Sequence, residues 1–568
     1  MKKLIALLLA LVMVVGMVAC GTAKPEDTKA PEATKPQAGN TETKPAETEA
    51  PESETPMNLA WYSGSEITTH FENVQWDPSL NIWHKGVFEA GANWNPTTAD
   101  FDFDTYLASI ESNADFTEWT VVMKDGVTFH DGSAATIADY VFSIYAMMLN
   151  PRTGSTFMKY VEGYQDCKDG VTETMSGLTY DEATNTATFK LAEAYWDFKG
   201  SLAGVILIPA AAFEGIAWAD MDTADYYLKP IGTGPYMIDK VQMPDYFTLV
   251  RYDGYYGEKA GIKNINCINY NNSADAMATA IMNGDLDFVN RTAVADAMIA
   301  DSIVAMNPNA VVMGNAGHGQ RCWFFNLGDR ADGKMKADLQ KKEVRQAFDI
   351  LMDEDAIADL VGATGTGTLV KSTSFDYVAE YDRPYDVAAA KALLDAAGFD
   401  YTQTYDFAYY YNEQLVHDAH TLIVQLFAAA GVKVNPILLQ GDLAALLYTD
   451  KNYDLCMLMA TASDTLPANN YSKMISTTSY TFMGLHEERG IAGGWDELYG
   501  KYAVEPDANK RAEISKQMQA KNFDECYALS GYLTTTYCVY DASHISLPEE
   551  VFTLGFGNPR FAEWKMLV

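Results

Sequence analysis

The chain has 568 residues, 48% of them apolar and 21% charged, which is enough apolar content to bury a core over most of its length. At roughly 100–200 residues per domain, that length holds two or three lobes. The formal charge of −37, from 77 acids against 40 bases, excludes nucleic acid and anionic lipid surfaces as general partners, because both repel it.

The N-terminus reads as an export signal. Lys2 and Lys3 precede an apolar run from Leu4 to Val18 that is broken only by Gly16. That run falls short of the ~20 apolar residues a membrane helix needs, but it suits a secretory signal. Met17-Val18-Ala19-Cys20, followed by Gly21, resembles the lipobox of bacterial lipoproteins, with Met17 where leucine is usual. The resemblance implies lipid attachment at Cys20; an ordinary cleaved signal with an incidental cysteine is the alternative. From Gly21 to Pro56 there is no aromatic residue and no Leu, Ile, Val or Met. Such a segment has nothing to bury against its ordering entropy and is expected to be a disordered tether. All but two units of the net charge fall on the body, residues 57–568.

The body alternates strand-like and helical pieces. Asp100, Asp102, Asp104 and Glu111 stand at positions one, three, five and twelve of a calcium loop, but Thr105 replaces its turn glycine. Phe101 and Phe103 alternate as in a strand, so a strand with an acidic face is the favoured reading. Trp119–Met123 and Thr186–Leu191 alternate as half-buried strands. Thr136, with Asp139 reaching back, caps a helix whose apolar face is Val141, Phe142, Ile144, Tyr145 and Met148. Ser273 caps a second helix that Gly284 stops. Val344, Ala347, Phe348 and Leu351 have helical spacing, and Asp386 caps a helix that ends at Gly398. The whole reads as mixed α/β.

Searches for catalytic and cofactor motifs return little. Gly362, Gly365 and Gly367 form a Gly/Thr-rich loop, but Thr368 stands where a phosphate-binding loop needs lysine. There is no Gly-x-Ser-x-Gly elbow, and His486-Glu487-Glu488 lacks the second histidine of a zinc-protease helix. His417 and His420 fall on one helix face; without a third ligand, a packed or solvated pair is favoured over a metal site. The body cysteines Cys167, Cys267, Cys322, Cys456, Cys526 and Cys538 form no Cys-x-x-Cys pair. The sequence leaves open whether Cys526 and Cys538 are bridged. No cofactor and no metal site is expected.

Trp119 through Gly132 (WTVVMKDGVTFHDG), continued by Thr136–Ser143, resembles a signature of the family-5 extracellular solute-binding proteins, the peptide- and nickel-binding lipoproteins of ABC importers. Further blocks follow in the family's order: Pro230-Ile231-Gly232-Thr233-Gly234-Pro235-Tyr236, Asn283–Asp287, Val344–Phe348, Asp386–Gly398 and Tyr453-Asp454-Leu455. Gly232 and Gly234 are expected to serve backbone geometry rather than ligand contact. The resemblance runs from about Met57 to the C-terminus. It implies a two-lobed periplasmic-binding-protein-like fold with an extra domain on the first lobe and the ligand cleft between lobes. The implied hinge lobe is 57–98, 220–318 and 536–568, the extra domain 99–219 and the distal lobe 319–535.

In peptide-binding relatives a Trp-x-x-Asp segment after the Tyr-Asp strand supplies an aspartate that pairs with the peptide ammonium. The matching stretch is Thr461-Ala462-Ser463-Asp464, which makes Asp464 the expected amine anchor and puts Thr461 where the tryptophan stands. Arg321 is a candidate partner for a ligand carboxylate and Trp323 for stacking; an interlobe salt bridge and a packed indole are the alternatives. Trp61, Tyr62 and Trp94 are candidate cleft aromatics, equally plausible as core. The resemblance implies a monomeric, non-enzymatic receptor outside the cytoplasmic membrane, at the cell surface or in the periplasm. It would deliver oligopeptides to an ABC permease whose ATPase subunits supply the energy. Oligosaccharides are the alternative ligand and nickel is less favoured; a secreted metal-dependent hydrolase or a surface adhesin is the alternative class.

Overall fold

The computed structural model describes residues 53–61, 71, 82–95, 100–151, 155–271, 273–289, 297–371, 374–411, 413–443, 445–460, 468–474, 493–548 and 558–568. The expected export signal, Cys20 and most of the expected tether lie outside the described residues. The last four tether residues, expected to be disordered, are attached to the body: Lys263 pairs with Glu54 at 2.6 Å and Ser53 Oγ donates to the Val568 carbonyl at 3.2 Å. Among the described residues no helix is long and apolar enough to cross a membrane.

Local signals form the elements they imply. Asp139 accepts the Thr136 backbone N–H at 2.9 Å and starts the helix Ile137–Leu149. Its other carboxylate oxygen accepts the Ala210 N–H at 2.9 Å, so one cap also fastens a distant turn. Ser273 caps Ala274–Asn283, which ends at Gly284 in the left-handed region, and Asp386 caps Val387–Ala396 with two N–H acceptances. Val344, Ala347, Phe348 and Leu351 are all buried on the helix Lys342–Leu351. Asp100–Asp102 is a strand paired with Asn93–Asn95, as its alternation implies.

An 11-stranded sheet runs through the molecule. In one half, Met57–Trp61 lies parallel between Asn264–Asn269 and Phe288–Val289. In the other, Thr404–Tyr409 lies parallel between Lys433–Leu438 and Leu455–Ala460. Two long antiparallel strands, Ala310–Phe325 and Ala528–Asp541, cross from one half to the other. Each half carries its own core: Met57, Leu59, Trp61, Phe247 and Trp564 anchor the first, and Trp323, Phe325, Phe348 and Phe427 the second. A third core gathers residues from Ala92 to Leu207 around the sheet Leu107–Ser112, Glu118–Met123, Thr186–Lys190 and Leu178–Asp181. The body cysteines are buried thiols, and no disulfide occurs among the described residues. Cys526 belongs to the second core and Cys538 to the first, which rules out the bridge the sequence left open.

The two blocks around His130 and Gly232 form one joint. Gly232 N–H donates to His130 Nδ1 at 3.1 Å, His130 Nε2–H donates to the Gly234 carbonyl at 3.0 Å, and His130 N–H donates to the Gly232 carbonyl at 3.1 Å. A β-carbon at Gly232 would collide with the Val87 carbonyl, and one at Gly234 with the Gly86 carbonyl. These glycines serve close backbone approach, as expected from the sequence. Gly232→Ala is expected to destabilise by at least about 1–3 kcal/mol, because the obstacle is backbone that cannot rotate away. A urea midpoint equal to wild type would contradict this.

Candidate ligand site at the lobe crossover

Strand register fixes where the two halves face each other. Along the crossing strand Ala310–Phe325, Val312 aligns with Val539, and Val539 also aligns with Val289, the last residue of its parallel strand. Further along the same strand, Gln320 aligns with Ala460, the last residue of its parallel strand. The carboxyl ends of both parallel sets therefore point toward the crossover from opposite sides. Crevices outside the carboxyl ends of parallel strands are where open α/β sheets bind ligands. The crossing pair is irregular here, with register shifts between Ala316 and Gly319 and between Arg321 and Trp323. Gly531 sits against the second shift, where a β-carbon would collide with the Arg321 carbonyl.

Arg321 is the charged centre of this region. Its Nη2–H donates to Glu413 Oε1 at 2.9 Å, and its guanidinium lies 4.2 Å over the Tyr411 ring. The Tyr532 hydroxyl stands beside it on the neighbouring crossing strand, and these partners hold the guanidinium charged despite burial. Tyr411 is fixed in turn: its hydroxyl accepts the Met459 N–H at 2.9 Å and shares a hydrogen bond with Tyr410 at 2.7 Å. Glu413 is the N-cap residue of the helix Gln414–Ala429. Both residues belong to the half of the sheet that holds Thr404–Tyr409 and Leu455–Ala460, so the ion pair does not bridge the two halves. Beside it, Gln320 donates to Thr366 Oγ1 at 2.6 Å and to the Thr368 carbonyl, which gives the Gly/Thr-rich loop a structural role.

Behind this surface the side chains are packed. Trp323 is fully buried, as a packed indole, and its Nε1–H donates to His420 Nε2 at 3.4 Å. His420 Nδ1–H donates to the Val416 carbonyl at 2.8 Å, so the ring is neutral, and burial pushes its pKa down to about 4. Tyr409 stacks on His420 at 3.9 Å and bonds His417 Nδ1 at 2.9 Å, which accounts for the histidines as packed side chains, His420 buried and His417 half-buried. No cluster of three or more metal-ligating side chains occurs among the described residues. Trp61 ends its strand 1% exposed, packed edge-on against Phe247, and Trp94 packs on Phe101. Asp464, Thr461 and Tyr62 lie outside the described residues. Sequence reasoning singled out Arg321 but not Glu413, Tyr411 or Tyr532, which surround it. The three tyrosines Tyr409–Tyr411 after an alternating strand were the one local signal.

A cavity of about 380 Å³ lies elsewhere, between Glu89, Asp104, Tyr255 and Asn558–Glu563. There the Glu89 carboxylate accepts the Tyr255 and Tyr256 hydroxyls, each at 2.6 Å, and burial pushes its pKa up to about 7.

Two α/β lobes joined by a pair of crossing strands, with strand carboxyl ends facing each other, define a two-lobed binding protein. Residues 104–482 match the family described as "Bacterial extracellular solute-binding proteins, family 5 Middle", and the chain belongs to that family. The family consists of substrate-binding transport proteins rather than enzymes. The chain is 22% identical to the oligopeptide-binding protein AppA of Bacillus subtilis, over 76% of this chain and 77% of that one. It is 25% identical to the nickel-binding periplasmic protein of Escherichia coli, over 50% of each. It spans about half the length of several curated relatives that it matches. Among solved structures, the ABC transporter substrate-binding protein CtaP of Listeria monocytogenes superposes with a TM-score of 0.73 at 17% identity. That match covers 90% of this chain and 99% of CtaP and shows the fold.

Proposed function

We propose that this protein is a lipid-anchored receptor outside the cytoplasmic membrane that captures oligopeptides between its lobes and delivers them to an ABC permease. The observation that carries the reading is the crossover, toward which the carboxyl ends of both parallel sets point and where Arg321 lies. Closure there desolvates both faces of a ligand at once. The match to an oligopeptide-binding relative over three quarters of the chain supports peptides over nickel. Asp464, four residues beyond the strand Leu455–Ala460, is the proposed partner of the peptide ammonium, with Thr461 three residues before it in the chain. Arg321 offers N–H donors to the peptide backbone, while Trp61 and Trp323 support the crevice walls from behind. The closed, liganded form docks on the permease, whose ATPase subunits supply the energy, and the receptor acts as a monomer held at the membrane by Cys20.

Calorimetry with di- to hexapeptides against cello-, xylo- and malto-oligosaccharides tests the ligand class. Asp464→Ala is expected to weaken peptide binding by about tenfold or more, since a charge-assisted hydrogen bond contributes about 1.5–3 kcal/mol. Peptide affinity unchanged by that substitution would remove the amine anchor. Oligosaccharides are the second reading, favoured by the paired rings of Tyr410 and Tyr411 at the crevice, which suit stacking on sugars.

A further inference from the structure

Arg321 is the cation that a ligand carboxylate would seek at the crossover, yet its charge is already met. Glu413 bonds it at 2.9 Å, and Glu413 occupies the N-cap of a 16-residue helix, whose positive end favours an ionised carboxylate. The pair is thus a cation and an anion whose charges cancel. Arg321 is nine-tenths buried and roofed by the Tyr411 ring, and its backbone is held between Met459 and Tyr532. Glu413 Oε2 and Arg321 Nε are both buried without a hydrogen-bond partner in the protein, so the pair keeps one acceptor and one donor uncommitted. An amide or hydroxyl, which can donate and accept, matches both. A net negative group does not, because it would have to displace a carboxylate already bonded to Arg321.

We infer that the Arg321–Glu413 pair is a charge-cancelled clamp, with Glu413 the residue that makes the crossover select ligands bearing an uncharged amide or hydroxyl, rather than a carboxylate, at the position facing it. The inference rests on reading the crossover as the ligand crevice, and it deepens the proposed function by naming a ligand charge. It does not depend on the ligand being a peptide.

The test is a charge cycle on the full-length protein: wild type, Glu413→Gln, Arg321→Gln and the double variant, each checked for folding by circular dichroism. Each is offered one equimolar pool of tetrapeptides as free acids and as C-terminal amides, together with cello-oligosaccharides and oligogalacturonates. Retained ligand is quantified by mass spectrometry as the ratio of anionic to neutral forms. Glu413→Gln is expected to raise that ratio about tenfold, as one charge-assisted bond becomes available. Arg321→Gln is expected to lower it, and the double variant to return it to the wild-type value. Should Glu413→Gln fail to fold, the comparison of Arg321→Gln with the double variant carries the same test. Ratios equal across the folded proteins would overturn the clamp, and if peptides are still retained the peptide reading stands. A shift seen with sugars while no peptide is retained would support the clamp and remove the peptide reading.

Discussion

Replacing Arg330 with methionine is expected to cost about 3–5 kcal/mol of stability at pH 7, because it strands carboxylates that were buried only in its company. The guanidinium is 2% exposed and bonds three aspartates: Asp454 at 2.8 Å, Asp406 at 3.0 Å and Asp332 at 3.0 and 3.1 Å. Asp454 is itself 1% exposed and also accepts the Asp406 N–H at 2.8 Å, which locks the start of the strand that leads toward the crossover. Burial pushes the Asp454 carboxyl up to about 6 even with Arg330 present, whereas Arg330 holds Asp332, nearer the surface, down to about 2. Without the arginine, Asp454 ionises still less readily. The defect should therefore shrink as the pH falls toward 6, over the range where Asp454 is already a neutral acid in the variant but still ionised in wild type. Urea midpoints of wild type and Arg330→Met at pH 7.5 and pH 5 measure both claims. A loss below about 1 kcal/mol, the usual scale of a surface pair, would show that the cluster is solvated.

Acidification from pH 6.5 to pH 4 is expected to destabilise the protein through His130 and His420. Both rings are buried with Nδ1 and Nε2 already committed, and burial pushes each pKa from 6.5 down to about 4. Below pH 6.5 the unfolded chain takes up protons that the native rings refuse. Stability contributed by the neutral rings is thus fully present above 6.5 and is lost as the pH falls toward 4. The loss is on the order of 3 kcal/mol per histidine. Asp454 and Glu89, both raised by burial, act in the opposite sense, so the informative quantity is the difference between proteins. His130→Gln should start less stable at pH 7.5, because it disturbs the Gly232–Gly234 joint, yet lose less on acidification than wild type. Parallel pH profiles for the two proteins would show that His130 does not titrate in this window.

These two sites mark where sequence reading stopped. Arg330 drew no notice because nothing near it in the chain announces that Asp332 in the next turn is joined by an aspartate from a strand and one from the bend before another. His130 and Gly232 were each read correctly as parts of recognisable blocks, but their contact spans 102 residues of sequence. Glu413 was passed over because an acid after a polar turn usually faces water. Its value comes from Arg321, 92 residues earlier.

What the sequence determined by itself was local or compositional: the alternation of Trp119–Met123, the caps at Thr136, Ser273 and Asp386, the glycine stops, and the ordered blocks that identify the family. Those signals are legible because a cap or a period is satisfied within a few residues of itself. The tertiary structure alone decided which charges meet. It paired Arg321 with Glu413 in one half of the sheet, sent Cys526 and Cys538 to different cores, and gathered Asp332, Asp406 and Asp454 on Arg330. The crossing strands Ala310–Phe325 and Ala528–Asp541 made those choices, since their register sets which distant residues stand opposite one another, and no local pattern encodes a register.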